Sequence, residues 1–289
     1  MNTYEIRGGN GLGITVRGYG NPRGKAILFI HGLMQCGLCW SHQVDSDLAD
    51  EFQLLCMDIR GHGMSECAKK PEDYQEPRLF ADDVAAVMDS LNLNRPVLVG
   101  ASYAGLIIND YVASYGDSNL GGINYVASAV YFGSEKANKH LGDRLMELVP
   151  GLLSDDLSDN ISATRRFVRL FHATQPSQEE YETVLAYNMI VPVSIRQAFM
   201  AREADGDAIM ASIRCPVLIT HGLQDKIVLP SMSKAIKAKV RHAELSLYDG
   251  SGHTTYGEAS DRFNRELAVF SRGETVGMAV EGTLHGEPT

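Results

Sequence analysis

No run of about 18 consecutive apolar residues occurs in the sequence, which excludes a membrane-spanning helix by length alone. Lysine and arginine never cluster beyond a pair, and the formal charge is −10. Nucleic acid is therefore not an expected partner, because phosphate binding needs a concentrated basic face. An anionic membrane surface is disfavoured on the same ground. Cysteine is scarce: Cys36, Cys39, Cys56, Cys67 and Cys215 make an odd set of five, too few for a disulfide scaffold. The C-x-x-C at 36–39 has no second pair and no H-x-x-x-H to complete a zinc site, so Cys36 and Cys39 are expected to be small buried thiols rather than a redox or metal pair. The N-terminal "MNTYEIRGGNGLG" has no apolar stretch of signal-peptide length, so the expected location is cytoplasmic.

What is present is an ordinary globular composition, 44% apolar and 21% charged over 289 residues, enough for one large domain with an insertion. Short apolar runs alternate with amphipathic stretches, the pattern of strand–helix–strand units on a mostly parallel sheet. Strands are expected at "ITVRGYG", "AILFI", "LLCM", "VLVG", "INYVASAVYF" (123–132), "VLIT" and "ELSLY". Helices are expected over 76–91, 103–115, 231–240 and 259–272. In the first of these, Leu79, Val84, Val87, Met88 and Leu91 recur at helical spacing. From about Ser134 to Ser212 the alternation stops and only helices are expected. A core of 1–133 and 213–272 with a helical cap of 134–212 follows, and 273–289 reads as a loose tail. Such a cap would lie over the C-terminal edge of the sheet, where open α/β sheets bind ligands.

"VLVGASYAGLII" places Ser102 between a β-branched run and a helical one. It nearly spells G-x-S-x-G, the sharp strand-to-helix turn that holds a nucleophile, but its last glycine comes one place late, at Gly105 after Ala104. A serine hydroxyl is a weak nucleophile at neutral pH and needs a base, itself oriented by a carboxylate. "PVLITHGLQDKIV" puts Asp225 in the loop after one strand, and "LYDGSGHTTYGE" puts His253 in a glycine-rich loop after the next. The chain order Ser102, Asp225, His253 is the one expected for this architecture. Asp249 and Glu258 are weaker candidates for the acid. An oxyanion hole needs two backbone N–H groups, for which Tyr103 and Leu33 are the candidates. The structural alternatives are an ion pair or turn for Asp58 and Arg60, His31 and His62 as turn-shaping residues, His221 as a buried hydrogen-bonded residue, and Trp40 packed behind the oxyanion loop.

Taken together, "FIHGLMQCGLCW", "MDIRGHGMS", "VGASYAG", "PVLITHGLQDKIV" and "GSGHTTYGE" resemble, in order, the motifs of the α/β-hydrolase superfamily. Within it, the chain is similar to the branch of capped esterases, lactonases and non-haem haloperoxidases. The departures are Ala104 in the nucleophile turn and Met34, where haloperoxidase-like members usually carry proline. The resemblance implies an α/β fold, no cofactor, and hydrolysis of a small-molecule carboxylic ester or lactone through an acyl-enzyme on Ser102. The chain is expected to act as a monomer or homodimer. Met34, Tyr103 and His172 are candidate substrate contacts, and the apolar cap stretches point to a hydrophobic acyl or alcohol part. An aspartate nucleophile, as in epoxide hydrolases and haloalkane dehalogenases of this fold, is excluded by Ser102. The rival activities are C–C bond hydrolysis of diketone-type substrates, perhydrolysis, and ligand reception by an intact triad.

Overall fold

The computed structural model describes residues 1–277. Ten strands form in chain order: β1 (Asn2–Arg7), β2 (Gly13–Gly20), β3 (Ala26–Ile30), β4 (Gln53–Met57), β5 (Val97–Ala101), β6 (Gly122–Val126), β7 (Tyr131–Phe132), β8 (Ala204–Asp205), β9 (Val217–Gly222) and β10 (Glu244–Tyr248). Eight of them make one sheet in the order β1-β2-β4-β3-β5-β6-β9-β10. Only the β1–β2 and β2–β4 pairings are antiparallel; the rest are parallel. This is a mostly parallel α/β sheet flanked by helices.

The central strands are buried on both faces, as parallel strands under two helical layers must be. Every residue of β3, β5, β6 and β9 is buried. β1 at the antiparallel edge is mostly exposed and carries Glu5 and Arg7, the charged pattern that blunts an edge. Helix Ala104–Tyr115 leaves β5 directly and is buried from Ala104 to Val112, which makes it the central helix of the core. Helices Pro77–Ser90, Pro230–Lys239 and Ser260–Arg272 form within one or two residues of the expected spans.

The expected strand 123–132 does not run through. Ala127 takes a left-handed φ of 45°, which ends β6 at Val126. Tyr131–Phe132 then pairs with Ala204–Asp205 in a separate two-stranded sheet. The segment 134–212 is thus not helical throughout, and β8 is its exception. Helices Asp143–Leu152, Leu157–Arg169, Gln178–Met189, Val193–Met200 and Asp207–Ser212 supply most of it. Side-chain caps set two starts: Asp156 accepts from Asp159 N at 2.9 Å and Ser177 from Glu180 N at 3.2 Å.

Arg196 ties this segment together. It is 1% exposed and has no carboxylate partner among the described residues. Its guanidinium donates to Leu152 O and Asn188 O, in the last turns of two helices, and to Asn160 Oδ1. The negative ends of two helix dipoles take the place of a counter-ion. Burial still lowers the Arg196 pKa to about 10.

The segment is fastened to the core at two loops. Leu141 bridges Val228, Gly142 N donates to Ile227 O at 3.0 Å, and Leu229 N donates to His140 O at 2.8 Å. At the other loop, His253 N donates to Phe171 O at 2.7 Å. Most of the loose tail expected over 273–289 lies outside the described residues. Its first residues are packed: Val276 is buried and its N–H donates to Glu244 Oε2.

Candidate active site

The parallel register brings the candidate residues to one edge. Ser102 follows β5, His31 follows β3, Asp225 lies in the loop after β9, and His253 in the loop after β10. Ser102 has φ 55°, a left-handed value that costs a non-glycine residue energy and persists only where its surroundings over-determine it. Those surroundings are hydrogen bonds: Ser102 N donates to Val126 O at 3.0 Å, and Ser102 O accepts from Ala129 N at 2.9 Å. The displaced glycine of the motif finds its reason here. A Cβ at Gly105 would lie 2.5 Å from Ala129 O, so the close approach falls at position 105, while the buried methyl of Ala104 is accommodated. At Gly32 a Cβ would meet Ser102 Cβ at 2.9 Å, so the loop after β3 can press against the serine turn only without a side chain there.

Asp225 is fully enclosed and takes N–H donors on both oxygens. Oδ1 accepts from Ile227 N at 2.8 Å and Val228 N at 3.1 Å. Oδ2 accepts from His253 Nδ1 at 2.7 Å. Burial on its own would raise this carboxyl; the His253 charge and the hydrogen bonds from His221 and His253 outweigh it and hold the pKa at about 2. The carboxylate therefore stays ionised and orients His253 with Nδ1 protonated. Asp249, the rival acid, is exposed and accepts from Gln224 Nε2 and Gly250 N instead. Glu258 accepts from Gly252 N, Ala173 N and Thr174 N, which staples the histidine loop to residues 173–174.

Ser102 and His253 line one cavity of about 90 Å³, together with Leu33, Met34 and Tyr103. Ser102 Oγ and His253 make no hydrogen bond among the described residues, a looseness common before substrate binds. The Leu33 and Tyr103 N–H groups donate to no acceptor among the described residues. The rest of the lining is largely apolar and includes Phe132, Leu145, Val149, Phe171 and Ile227.

Two histidines shape the loop that bears Leu33. His62 Nε2 accepts from Met34 N at 3.0 Å while its Nδ1 donates to Arg60 O. His31 Nε2 accepts from Ile59 N at 3.1 Å while its Nδ1 donates to Gly32 O. Each ring thus spans the two turns as a neutral imidazole, and burial lowers the His62 pKa to about 3. Met34 itself has φ 63°, which a proline ring, fixed near −65°, does not adopt. Trp40 packs against Phe29 at 4.9 Å and Tyr256 at 4.4 Å. Burial pushes the Cys36 thiol up to about 11 and Cys39 well above its usual value, which makes poor thiolates.

Of the ion pair or turn expected of Asp58 and Arg60, the chain makes the turn, with His62 N donating to Ile59 O, and the pair does not form. Asp58 pairs with Arg17 at 3.0 Å and Arg60 with Asp83 at 2.8 Å, because the turn between them points the two side chains to different partners. His172 is not in the catalytic cavity either. Its Nδ1 meets Thr254 Oγ1 at 3.1 Å, and it lines a separate groove with His42 and Glu180. Tyr103 reaches the cavity, but its ring packs against Phe132 and Phe199. His221, Arg196, Gln35 and Val228 belong to the site region without having been expected there. Only His221, four residues before Asp225, had a local signal.

The alpha/beta hydrolase family profile matches residues 27–266. The chain belongs to this family. As an alpha/beta hydrolase it is similar to the AB hydrolase superfamily protein YisY of Bacillus subtilis, with 26% identity over 257 residues, 86% of this chain and 92% of that protein. It is 26% identical over 279 residues to the bifunctional esterase/perhydrolase DCH of Acinetobacter calcoaceticus, covering 91% of this chain and 97% of that one. The crystal structure of the esterase RhEst1 from Rhodococcus sp. superposes with a TM-score of 0.89 at 29% identity, over 95% of this chain and all of that one. No helix among the described residues is long and apolar enough to cross a membrane.

Proposed function

We propose that this alpha/beta hydrolase cleaves small carboxylic esters, lactones included, through an acyl-enzyme on Ser102. The observation that carries the reading is the buried Asp225–His253 pair, 2.7 Å apart, sharing the sheet edge with a serine held at φ 55°. His253 takes the Ser102 proton as the hydroxyl attacks the ester carbonyl. The Leu33 and Tyr103 N–H groups hold the oxyanion, and His253 then protonates the leaving alcohol. Water activated by the same imidazole hydrolyses the acyl-enzyme. The helices of 134–212 act as the cap, and Met34 and Tyr103 contact substrate from the oxyanion side.

The cavity of about 90 Å³ is narrow and its lining largely apolar, which suits a short apolar acyl group. Longer acyl chains require helix Asp143–Leu152 to move, since Leu145, Met146 and Val149 line the cavity. The name of the Acinetobacter relative supports a second reading, in which peroxide replaces water at the acyl-enzyme. The test is turnover of p-nitrophenyl esters of rising acyl length and of simple lactones, with and without hydrogen peroxide, for wild type and Ser102→Ala. Activity greatest on acetyl and propionyl esters and abolished in Ser102→Ala is expected. Full turnover in a clean Ser102→Ala preparation would overturn the assignment.

A further inference from the structure

His221 sits at the end of β9, 0% exposed, four residues before Asp225. Its Nε2 is 2.8 Å from Val228 O and 3.1 Å from Asp225 Oδ2. A carbonyl and a carboxylate can only accept, so Nε2 carries the hydrogen whatever the charge of the ring. On the far side, Nδ1 is 2.6 Å from the hydroxyl of buried Ser233 on helix Pro230–Lys239, which locks the ring plane. The oxygen that His221 approaches is the one that accepts from His253 Nδ1. Asp225 thus accepts from the Ile227 and Val228 amides on Oδ1 and from His253 on Oδ2, and the single His221 Nε2–H, which donates to Val228 O, is shared with that same Oδ2.

We propose that His221 is a positioning residue for the acid: its Nε2–H fixes Asp225 Oδ2 toward His253 and draws off part of the carboxylate's charge. This rests on the ester-hydrolase reading of the site. A carboxylate held only by His253 could rotate about its Cβ–Cγ bond, and its full charge would bind the imidazolium more tightly. Sharing Oδ2 between two rings weakens that hold on the imidazolium formed during the reaction. The other titratable groups in reach are Glu258, which feels the Asp225 charge, and His172, which feels His253. Neither contacts Asp225.

Two substitutions separate positioning from space filling. His221→Asn keeps an amide near Ser233 and removes the donor to Asp225; His221→Gln restores an N–H near the Nε2 position. For His221→Asn we expect kcat to fall roughly tenfold, the loss of one charge-assisted hydrogen bond, with KM within about twofold. The acid limb of the kcat–pH profile should move up by about 0.5–1 unit, because His253 then faces an unshared carboxylate. His221→Gln should recover most of both. Nitrogen NMR of ¹⁵N-histidine-labelled wild type needs no variant, and the His221 Nε2 signal should stay protonated at every pH where the chain is folded. An unprotonated Nε2, an unmoved acid limb in His221→Asn, or equal losses in both variants would each overturn the proposal. Retained turnover in Ser102→Ala would instead sink the hydrolase reading and leave the NMR result standing.

Discussion

Asp225 and Asp110 are hidden to nearly the same degree, 4% and 6% exposed, yet their carboxyls behave oppositely. Burial raises Asp110 to about 7 against the pull of Arg202, whereas Asp225 is held at about 2. Depth does not separate them; partners do. Asp225 sits in a loop whose amides converge on one oxygen while two imidazoles approach the other. Asp110 projects from a helix whose amides are already spent, and its single ionic partner among the described residues is Arg202. Its Oδ2, and the Nε and Nη1 of Arg202, have no hydrogen-bond partner among the described residues. A loop can lend several backbone donors to one carboxylate, and a helix interior cannot. The first arrangement suits an acid that must stay ionised to orient a base. The second joins the end of the helical segment to the helix behind the serine.

The largest expected effect comes from breaking the well-satisfied member. Asp225→Asn should lower kcat by about 10⁴-fold, since an amide cannot hold His253 in the protonated-Nδ1 form, and ester turnover reads this directly. The chain should still fold. Equal activity in that variant would mean that the two aspartates do not differ in function.

Breaking the poorly satisfied member should cost stability instead. Asp110→Leu leaves the buried Arg202 guanidinium without its acceptor, a loss of about 3–5 kcal/mol in urea unfolding. Replacing both partners, Asp110→Leu with Arg202→Met, should recover most of that or exceed wild type. The pH dependence carries opposite signs. Asp110 binds its proton more tightly folded than unfolded, so its contribution falls as pH rises from about 4 to about 7. Asp225 binds its proton less tightly folded, so its contribution is present above about pH 4 and is lost as pH drops toward 2. The double variant should remove the first slope and keep the second.

Glu258 lies between the two. Three backbone N–H groups reach it, yet half-burial still leaves its pKa raised. Glu258→Gln should therefore have the smallest effect, about 1 kcal/mol, read as a drop in Tm of about 2–4 °C. A loss as large as that of Asp110→Leu would show that donor number does not govern these sites.

Much of this was legible in the residues. Strands and helices of the core carry unmistakable periods, and a serine after "VLVGA", an aspartate after "VLITHG" and a histidine after "ELSLY" all sit at strand ends that a parallel sheet brings to one edge. The break at Ala127 was not legible, because nothing in "NYVASAVYF" marks a left-handed residue. Nor was the exchange of partners by Asp58 and Arg60, since each finds its counter-charge on a residue distant in the chain. His172 illustrates the same limit: its place in the segment 134–212 was legible, but not that its ring would line a groove apart from the catalytic cavity.

The sequence by itself determined the architecture, the order of the candidate triad and the need for small residues around Ser102, because these depend on local period, chain order and side-chain size. Only the tertiary structure decided that the required close approach falls at Gly105, that His221 shares the oxygen of Asp225, and that the cavity is small. Those depend on which atoms of distant segments meet, and at contacts of 2.5–3.1 Å a shift of one ångström makes or breaks each of them.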